Sequence, residues 1–142
     1  MSRILFDASA LYKRYNLEPG REQVLALFDR AVSVVAGAHC LTEVASAFHR
    51  QRHDGLLNDL DYDGMMRQVQ RDFAEFEVVP LDKRVEAFAI AAMRRARLRA
   101  MDALHVGTAM ACGTDLFVTA DRGQAEAAHA LGLATVLIGQ VE

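Results

Sequence analysis

Short apolar runs alternate along the chain with longer segments whose apolar residues recur at helical spacing. The runs predict five strands, at residues 3–6, 32–35, 78–79, 116–119 and 134–138. The longer segments predict seven helices, at residues 8–15, 19–30, 41–53, 58–76, 83–93, 101–112 and 124–131. The unbroken apolar run of the first strand is typical of a strand that is buried on both faces. The alternation of strands and helices therefore predicts an α/β fold with a mostly parallel central sheet.

The composition predicts one globular domain over residues 1–142. A chain of 142 residues, of which 52% are hydrophobic, can bury a substantial core. The formal net charge of −3 gives no overall basic character, so any contact with nucleic acid must come from a local patch. No apolar run is long enough to cross a bilayer, and the N-terminus lacks the pattern of a signal peptide. We therefore expect a cytoplasmic protein.

The two cysteines, Cys40 and Cys112, lie far apart in the sequence and form no CxxC pair. We expect both to be buried thiols in a reducing cytoplasm. A disulfide or a zinc site is the minor alternative.

Four acidic residues are predicted to meet at one edge of the sheet. Asp7 ends the first strand, and Asp121 follows the fourth. Glu43 and Asp102 lie in the first turns of the third and sixth helices. In a parallel sheet with right-handed crossovers, the ends of strands and the starts of the returning helices lie at the same carboxyl edge. If strands one, two and four are neighbours, the four carboxylates can share one pocket.

A pocket with four carboxylates indicates a cation site. Close carboxylates repel one another, and without a cation some of them would be driven to take up protons. Oxygen ligands suit Mg²⁺ or Mn²⁺ better than zinc. Such ions activate water and stabilise both oxygens of an in-line displacement at phosphorus, so the cluster indicates phosphodiester hydrolysis. Ser9 and Thr119 are short hydroxyl residues beside these acids, and either could orient a carboxylate or the attacking water.

Each acid also has a simpler interpretation. Asp7 and Asp121 could cap the helices that follow them. Glu43 and Asp102 could be favourable charges at helix N-termini.

Four segments carry a resemblance to a known family. They are residues 5–9 (LFDAS), 41–44 (LTEV), 98–105 (LRAMDALH) and 118–122 (VTADR). In their order, their spacing and the length of the chain they resemble the PIN-domain nucleases, most closely the VapC-like toxins of bacterial toxin–antitoxin pairs. The resemblance covers essentially the whole chain. It implies a three-layer α/β/α fold with strand order 3-2-1-4-5, and an endoribonuclease activity that depends on Mg²⁺ or Mn²⁺.

The resemblance also implies roles for individual residues. Asp7, Glu43, Asp102 and Asp121 match the acidic quartet that binds metal, with Asp7 as the central ligand, and Thr119 matches a hydroxyl position that often precedes the last acid. The implied partners are an RNA substrate, a second copy of the chain, and a VapB-like antitoxin whose C-terminal segment reaches the active site, often with an arginine. After Asp121 the chain reads Arg-Gly-Gln, without the aromatic residue or leucine that is often found there. This departure concerns only local packing.

Arginines supply the densest local positive charge, with four of them within residues 94–99. They could form a solvated helix face, or they could form a phosphate-binding lip that leads to the acids. On the second interpretation Arg97 and Arg99 contact RNA, together with Arg122 beside the last acid.

Two histidines lie close to the acids in the sequence. His105 follows Asp102 by one helical turn, and His39 precedes Glu43. We expect a packing or hydrogen-bonding role for both rather than contact with metal or substrate. We interpret His49, His53 and His129 as surface or structural residues.

Two other functions are alternatives to a nuclease. A catalytically inactive PIN-like binding module would commonly lose acids from the quartet, and this chain keeps all four. A receiver or phosphatase-type domain with Asp7 as phosphoryl acceptor usually needs a lysine at the site. The two lysines, Lys13 and Lys83, do not follow strand ends in the required place, and residue 9 is not a second aspartate.

Overall fold

Five parallel strands form the centre of the fold. The computed structural model describes residues 2–139. The strands are β1 (Arg3–Phe6), β2 (Ser33–Gly37), β3 (Glu77–Val79), β4 (Leu116–Thr119) and β5 (Thr135–Leu137). Their order is β3-β2-β1-β4-β5, and every neighbouring pair is parallel. The predicted fold class and strand order are confirmed, and β1 lies between β2 and β4.

Helices cover both faces of this sheet. They are α1 (Ala8–Tyr15), α2 (Arg21–Arg30), α3 (Cys40–His53), α4 (Asp59–Glu75), α5 (Lys83–Met93), α6 (Ala100–Cys112) and α7 (Arg122–Ala130). Within residues 2–139, no helix combines the length and the apolar character needed to span a membrane.

The alternating side chains of β1 divide the core into two halves. Ile4 and Phe6 pack with residues of α1 to α4 on one face of the sheet. Leu5 packs with residues of α5, α6 and α7 on the other face. All three side chains are at most 1% exposed, as expected for a central strand of a three-layer α/β/α fold.

The second strand lies further along the chain than the apolar run predicts. Val32 is 65% exposed and outside the strand, whereas Ala36 and Gly37 pair with Val78 and Val79 of β3. The predicted strand 32–35 was therefore wrong at both ends. The reason is pairing with β3, which provides hydrogen bonds to a segment that the sequence favours as a connection.

A close helix–helix contact sets the position of α6. A Cβ atom added at Gly107 would lie 2.5 Å from the carbonyl oxygen of Val85 and 2.8 Å from the amide nitrogen of Ala89, both in α5. Glycine therefore allows the two backbones to approach closely. This contact fixes the helix whose first turn carries Asp102.

The cysteines differ in burial. Both are free thiols, Cys40 being buried and Cys112 only partly buried. The expectation of two buried thiols was therefore wrong for Cys112, which is the last residue of α6 and packs at the edge of the core.

Candidate active site

An open cleft lies at the carboxyl edge of the sheet. Its volume is about 990 Å³, and Asp7, Glu43, Asp102 and Asp121 all line it. The structure thus brings the four predicted acids together, one from the end of β1, one after β4, and two from the first turns of α3 and α6. The topology explains this, because β2, β1 and β4 are adjacent and parallel.

Asp7 is the most buried of these acids. It is 0% exposed, and its carboxylate accepts hydrogen bonds from the Ala10 amide at 2.8 Å, the Ser9 hydroxyl at 2.8 Å and the Thr119 hydroxyl at 2.7 Å. Burial raises the pKa of Asp7, although the charge of His105 and these hydrogen bonds oppose the rise. The carboxylate is therefore held rigidly in an environment that disfavours its negative charge.

Ser9 and Thr119 connect the ends of β1 and β4. While each hydroxyl donates to Asp7, the Ser9 oxygen accepts from the Ala120 amide at 3.0 Å and the Thr119 oxygen accepts from the Asp121 amide at 3.0 Å. Of the two roles predicted for these hydroxyls, the structure shows the orientation of a carboxylate.

Asp121 and Asp102 are linked through Gln124. Asp121 caps α7 by accepting from the Gly123 and Gln124 amides, each at 3.3 Å. The side-chain amide of Gln124 donates to Asp102 at 3.2 Å, and Gln124 is only 2% exposed. The simple capping interpretation thus holds for Asp121, as it does for Asp7 and α1. Capping occupies only part of each carboxylate, so it is compatible with a further ligand.

Glu43 is held by a histidine rather than by a cap. The Nε2 atom of His105 lies 2.5 Å from the Oε1 atom of Glu43, and the Nε2 atom of His39 lies 3.5 Å from the same oxygen. Burial alone would raise the pKa of Glu43, but the hydrogen bond from His105 and the charges of His105, His39 and Arg99 hold it below its usual value. Glu43 is therefore kept as a carboxylate. The hydrogen-bonding role predicted for both histidines agrees with this arrangement.

Two of the three predicted RNA-binding arginines reach the cleft. Arg97 and Arg99 line it, and Arg99 donates to Asp102 at 3.2 Å while its side chain remains 84% exposed. Arg122, the first residue of α7, is not among the lining residues.

The cleft is also lined by Tyr12, Lys13, Glu18 and Arg50, none of which was predicted from the sequence as a site residue. Lys13 is nearly buried and donates to Glu18 at 2.9 Å and to the carbonyl oxygen of Pro19 at 2.8 Å. Arg50 follows Glu43 by seven residues, which places both on the same face of α3. That spacing was a usable signal, as was the position of Gln124 one turn after Asp121.

The set of donor atoms fits a hard divalent cation. A carboxylate offers about four lone-pair sites. Three of those on Asp7 accept hydrogen bonds from the protein, donated by Ala10, Ser9 and Thr119. The remaining site on Asp7, together with the other three carboxylates, provides oxygen ligands of the kind that Mg²⁺ and Mn²⁺ prefer.

A second group of possible ligands consists of His39, Glu43 and His105, with one ligand atom from each lying within 4.8 Å of the others. The two imidazole rings are tilted against each other, with centroids 4.1 Å apart and planes inclined by 33°. The Nε2 atom of His39 already contacts the carbonyl oxygen of Met101, and that of His105 contacts Glu43. The group is therefore described as a hydrogen-bonded cluster beside the carboxylates.

Comparison with known proteins agrees with this fold. Ribonuclease VapC45 of Mycobacterium tuberculosis (strain CDC 1551 / Oshkosh) is 30% identical over 134 residues, which cover 93% of each chain. VapC20 of M. tuberculosis, a sarcin–ricin loop cleaving toxin, superposes with a TM-score of 0.69 at 16% identity, covering 94% of this chain and 98% of that one. A toxin–antitoxin complex from Klebsiella pneumoniae gives a TM-score of 0.59 at 13% identity, covering 83% and 86%.

A family model described as the PIN domain matches residues 4–130. This span contains all of β1 except Arg3, together with β2 to β4, α1 to α7 and all four acids of the cleft. The resemblance seen in the sequence is thereby confirmed, and the chain belongs to the PIN domain family.

Proposed function

We propose that this protein is a Mg²⁺- or Mn²⁺-dependent endoribonuclease that acts as the toxin of a toxin–antitoxin pair. One observation carries the proposal: four carboxylates from four separate elements line one cleft, and the most central of them is fully buried. Burying an acid is costly unless a cation or a reaction makes use of it. The relationship to proteins named VapC ribonucleases supports RNA as the substrate.

Asp7, Glu43, Asp102 and Asp121 are the residues that would hold the cation. When bound there, Mg²⁺ or Mn²⁺ lowers the pKa of a water molecule and stabilises the oxygens of a displacement at phosphorus. The protein contributes the fixed geometry of the carboxylates, with Thr119 and Ser9 holding Asp7 from β4 and α1.

Positive charge near the cleft would guide the substrate to the acids. Arg97, Arg99 and Arg50 all line the cleft together with the four acids. Such contacts bind phosphates without reading the base sequence. Arg122 remains a weaker candidate for the same role.

The proposed partners are a VapB-like antitoxin and a second copy of the chain, in the cytoplasm. The solved toxin–antitoxin complex with this fold supports an antitoxin partner. An acidic cleft also suits an inhibitor that inserts a cationic side chain. Exposed apolar side chains on the paired helices α5 and α6, namely Ile90, Met93 and Met101, would be covered by association.

The alternatives find less support in the geometry. An inactive binding module has no need of four converging carboxylates. A phosphoryl acceptor at Asp7 usually needs a lysine at the site, and Lys13 is engaged by Glu18 and Pro19 rather than by Asp7.

The decisive experiment is cleavage of total cellular RNA by the purified protein with Mn²⁺ or Mg²⁺, with and without a chelator. We expect cleavage that the chelator stops. Asp7→Asn should reduce the rate by about 100-fold or more, because even residues that only support metal ligands are commonly worth 10–100-fold. Undiminished cleavage by this variant would contradict the proposed function. RNA binding without cleavage by the wild-type protein would favour the inactive module.

The matched control is Asp82→Asn. Asp82 caps α5 by accepting from the Val85 amide at 2.9 Å, so it makes the same kind of contact as Asp7 but lies outside the cleft. The two substitutions remove the same charge and leave an amide that can still cap. Asp82→Asn should retain the wild-type rate.

A further inference from the structure

Two buried histidines join the helices that carry Glu43 and Asp102. His39 is the residue before α3, and His105 lies in the second turn of α6. Their rings are in contact at a tilt, with centroids 4.1 Å apart and planes inclined by 33°. The pair therefore lies where the N-terminal ends of α3 and α6 meet, the ends that carry Glu43 and Asp102.

The contact with Glu43 explains why residue 105 is a histidine. It is 1% exposed, its Nε2 atom lies 2.5 Å from Glu43, and its Nδ1 atom is buried without a hydrogen-bond partner in the described part of the chain. Leaving a buried polar atom unpaired costs about 1–3 kcal/mol. A residue that served only for packing would avoid this cost by being apolar, so the Nε2–H donor is the reason for an imidazole here.

His39 holds the ring of His105 in place. Its Nε2 atom lies 3.0 Å from the carbonyl oxygen of Met101, the residue before Asp102. A Cβ atom at Gly37 would lie 3.0 Å from the His39 ring, so the absence of a side chain at Gly37 provides the room for it. His39 thus ties the start of α3 to the start of α6 and supports His105 from one side.

We propose that His105, supported by His39, is a positioning residue that fixes the Glu43 carboxylate by holding its Oε1 atom, leaving Oε2 directed to the cation of the cleft. The inference rests on the proposed function in so far as that function requires a cation. It assigns to His105 a role that acts through Glu43, and not contact with the cation or the RNA.

The test compares two replacements of His105 by their effect on Mn²⁺ affinity, measured by calorimetry on RNA-free protein. His105→Gln keeps an N–H donor near the Nε2 position, whereas His105→Leu fills the space without one. We expect His105→Leu to weaken Mn²⁺ binding by about 10–100-fold relative to wild type, the usual effect of losing a residue that orients a metal ligand. His105→Gln should retain most of the wild-type affinity. Equal affinities for wild type and His105→Leu would overturn the proposal.

A double-mutant cycle separates positioning from a general loss of structure. In a Glu43→Gln background the ligand is already impaired, so His105→Leu should have little further effect on Mn²⁺ affinity. Equal losses in both backgrounds would overturn the proposal. His49→Leu is the matched control, because His49 bonds Tyr62 outside the cleft and should leave the affinity unchanged.

Histidine nitrogen NMR supplies a readout that needs no activity. In the metal-free protein the proton of His105 should reside on Nε2, and its resonance should move in Glu43→Gln because the acceptor loses its charge. The proton should remain on Nε2 when Mg²⁺ is added. An unprotonated Nε2 before or after Mg²⁺ addition would overturn the proposal, the latter by making His105 a ligand.

These measurements do not depend on RNA cleavage. A protein that binds Mn²⁺ with the expected dependence on His105 but does not cleave RNA would keep the inference and refute the nuclease. A protein that cleaves RNA while His105→Leu binds Mn²⁺ normally would refute the inference alone.

Discussion

Asp7 caps α1 with the same carboxylate that lies at the base of the cleft. Capping and hydrogen bonding stabilise the fold, whereas burial of the charge opposes it. The balance between these effects changes with pH, because only the ionised form carries the cost of burial.

The metal-free protein should therefore lose stability as the pH rises. Burial raises the folded-state pKa of Asp7 above its ordinary value of 3.8, so the folded protein binds this proton more tightly than the unfolded chain. By linkage, the free energy of unfolding falls as pH rises from the unfolded value through the folded pKa, and the loss is complete above it.

The Asp7→Asn substitution removes this pH-dependent loss of stability. At neutral pH and with a chelator present, we expect the variant to melt higher than wild type by at least about 2 °C, a shift of roughly 1 kcal/mol for a chain of this size. The gain should shrink as the pH is lowered towards 4, and thermal unfolding followed over a pH series measures it. A constant difference at every pH would contradict the assignment.

The four acids could be predicted because strand ends and helix starts share one edge of a parallel sheet. That rule needs only the order of elements along the chain. The contact between His105 and Glu43 could not be predicted, because it joins residues 62 positions apart and depends on how α3 and α6 approach each other. Sequence spacing carries no information on such an approach.

At the scale of elements, α3 forms one wall of the cleft. Glu43, Ala47 and Arg50 all line the cleft and recur at the spacing of one helical face. With a rise of 1.5 Å per residue, Arg50 lies about 10 Å along the helix from the acid. On the proposed function, Arg50 would contact a phosphate of the RNA at a distance from the acids.

Arg50→Ala should weaken RNA binding without changing the chemical step. We expect KM to rise by about 3- to 10-fold with little change in kcat, and the salt dependence of binding to fall by about one unit of slope. Steady-state kinetics at several salt concentrations measures both. Arg52→Ala is the control, because Arg52 pairs with Asp59 at 2.6 Å outside the cleft. A large fall in kcat for Arg50→Ala would place Arg50 in the chemistry instead.

The contact between α5 and α6 predicts opposite effects at two helical glycines. Gly107→Ala would force its methyl group against the backbone of α5 and should destabilise the protein by about 1–3 kcal/mol. Gly64→Ala, in α4, meets only the flexible end of Arg67 at 3.8 Å and should stabilise by about 0.5–1 kcal/mol. Urea unfolding compares the two. Equal effects would show that the helix contact does not require glycine.

For the whole molecule, the alternation of strands and helices was enough to predict the α/β class, and the family resemblance supplied the strand order. The limits of β2 were not predictable from the chain alone, since they depend on pairing with β3. The single-domain organisation over residues 1–142 stays a prediction.

A cation in the cleft should stabilise the entire fold, because only the folded chain brings the four acids together. At a free Mn²⁺ concentration 100 times the Kd, the free energy of unfolding should rise by about 2.7 kcal/mol. Thermal unfolding with Mn²⁺ or a chelator measures this, and Asp82→Asn should respond as wild type does. An equal response of Asp7→Asn would show that the ion binds elsewhere.

The pairing of β1 with β4 has a consequence for how the protein is made. Asp7 and Glu43 are synthesised early, but Asp7 gains its partner Thr119 and its neighbours Asp102 and Asp121 only once β4 and the turn after it have been made. A nascent chain that stops before residue 121 therefore lacks part of the site. An activity that needs all four acids cannot begin until translation has passed this point.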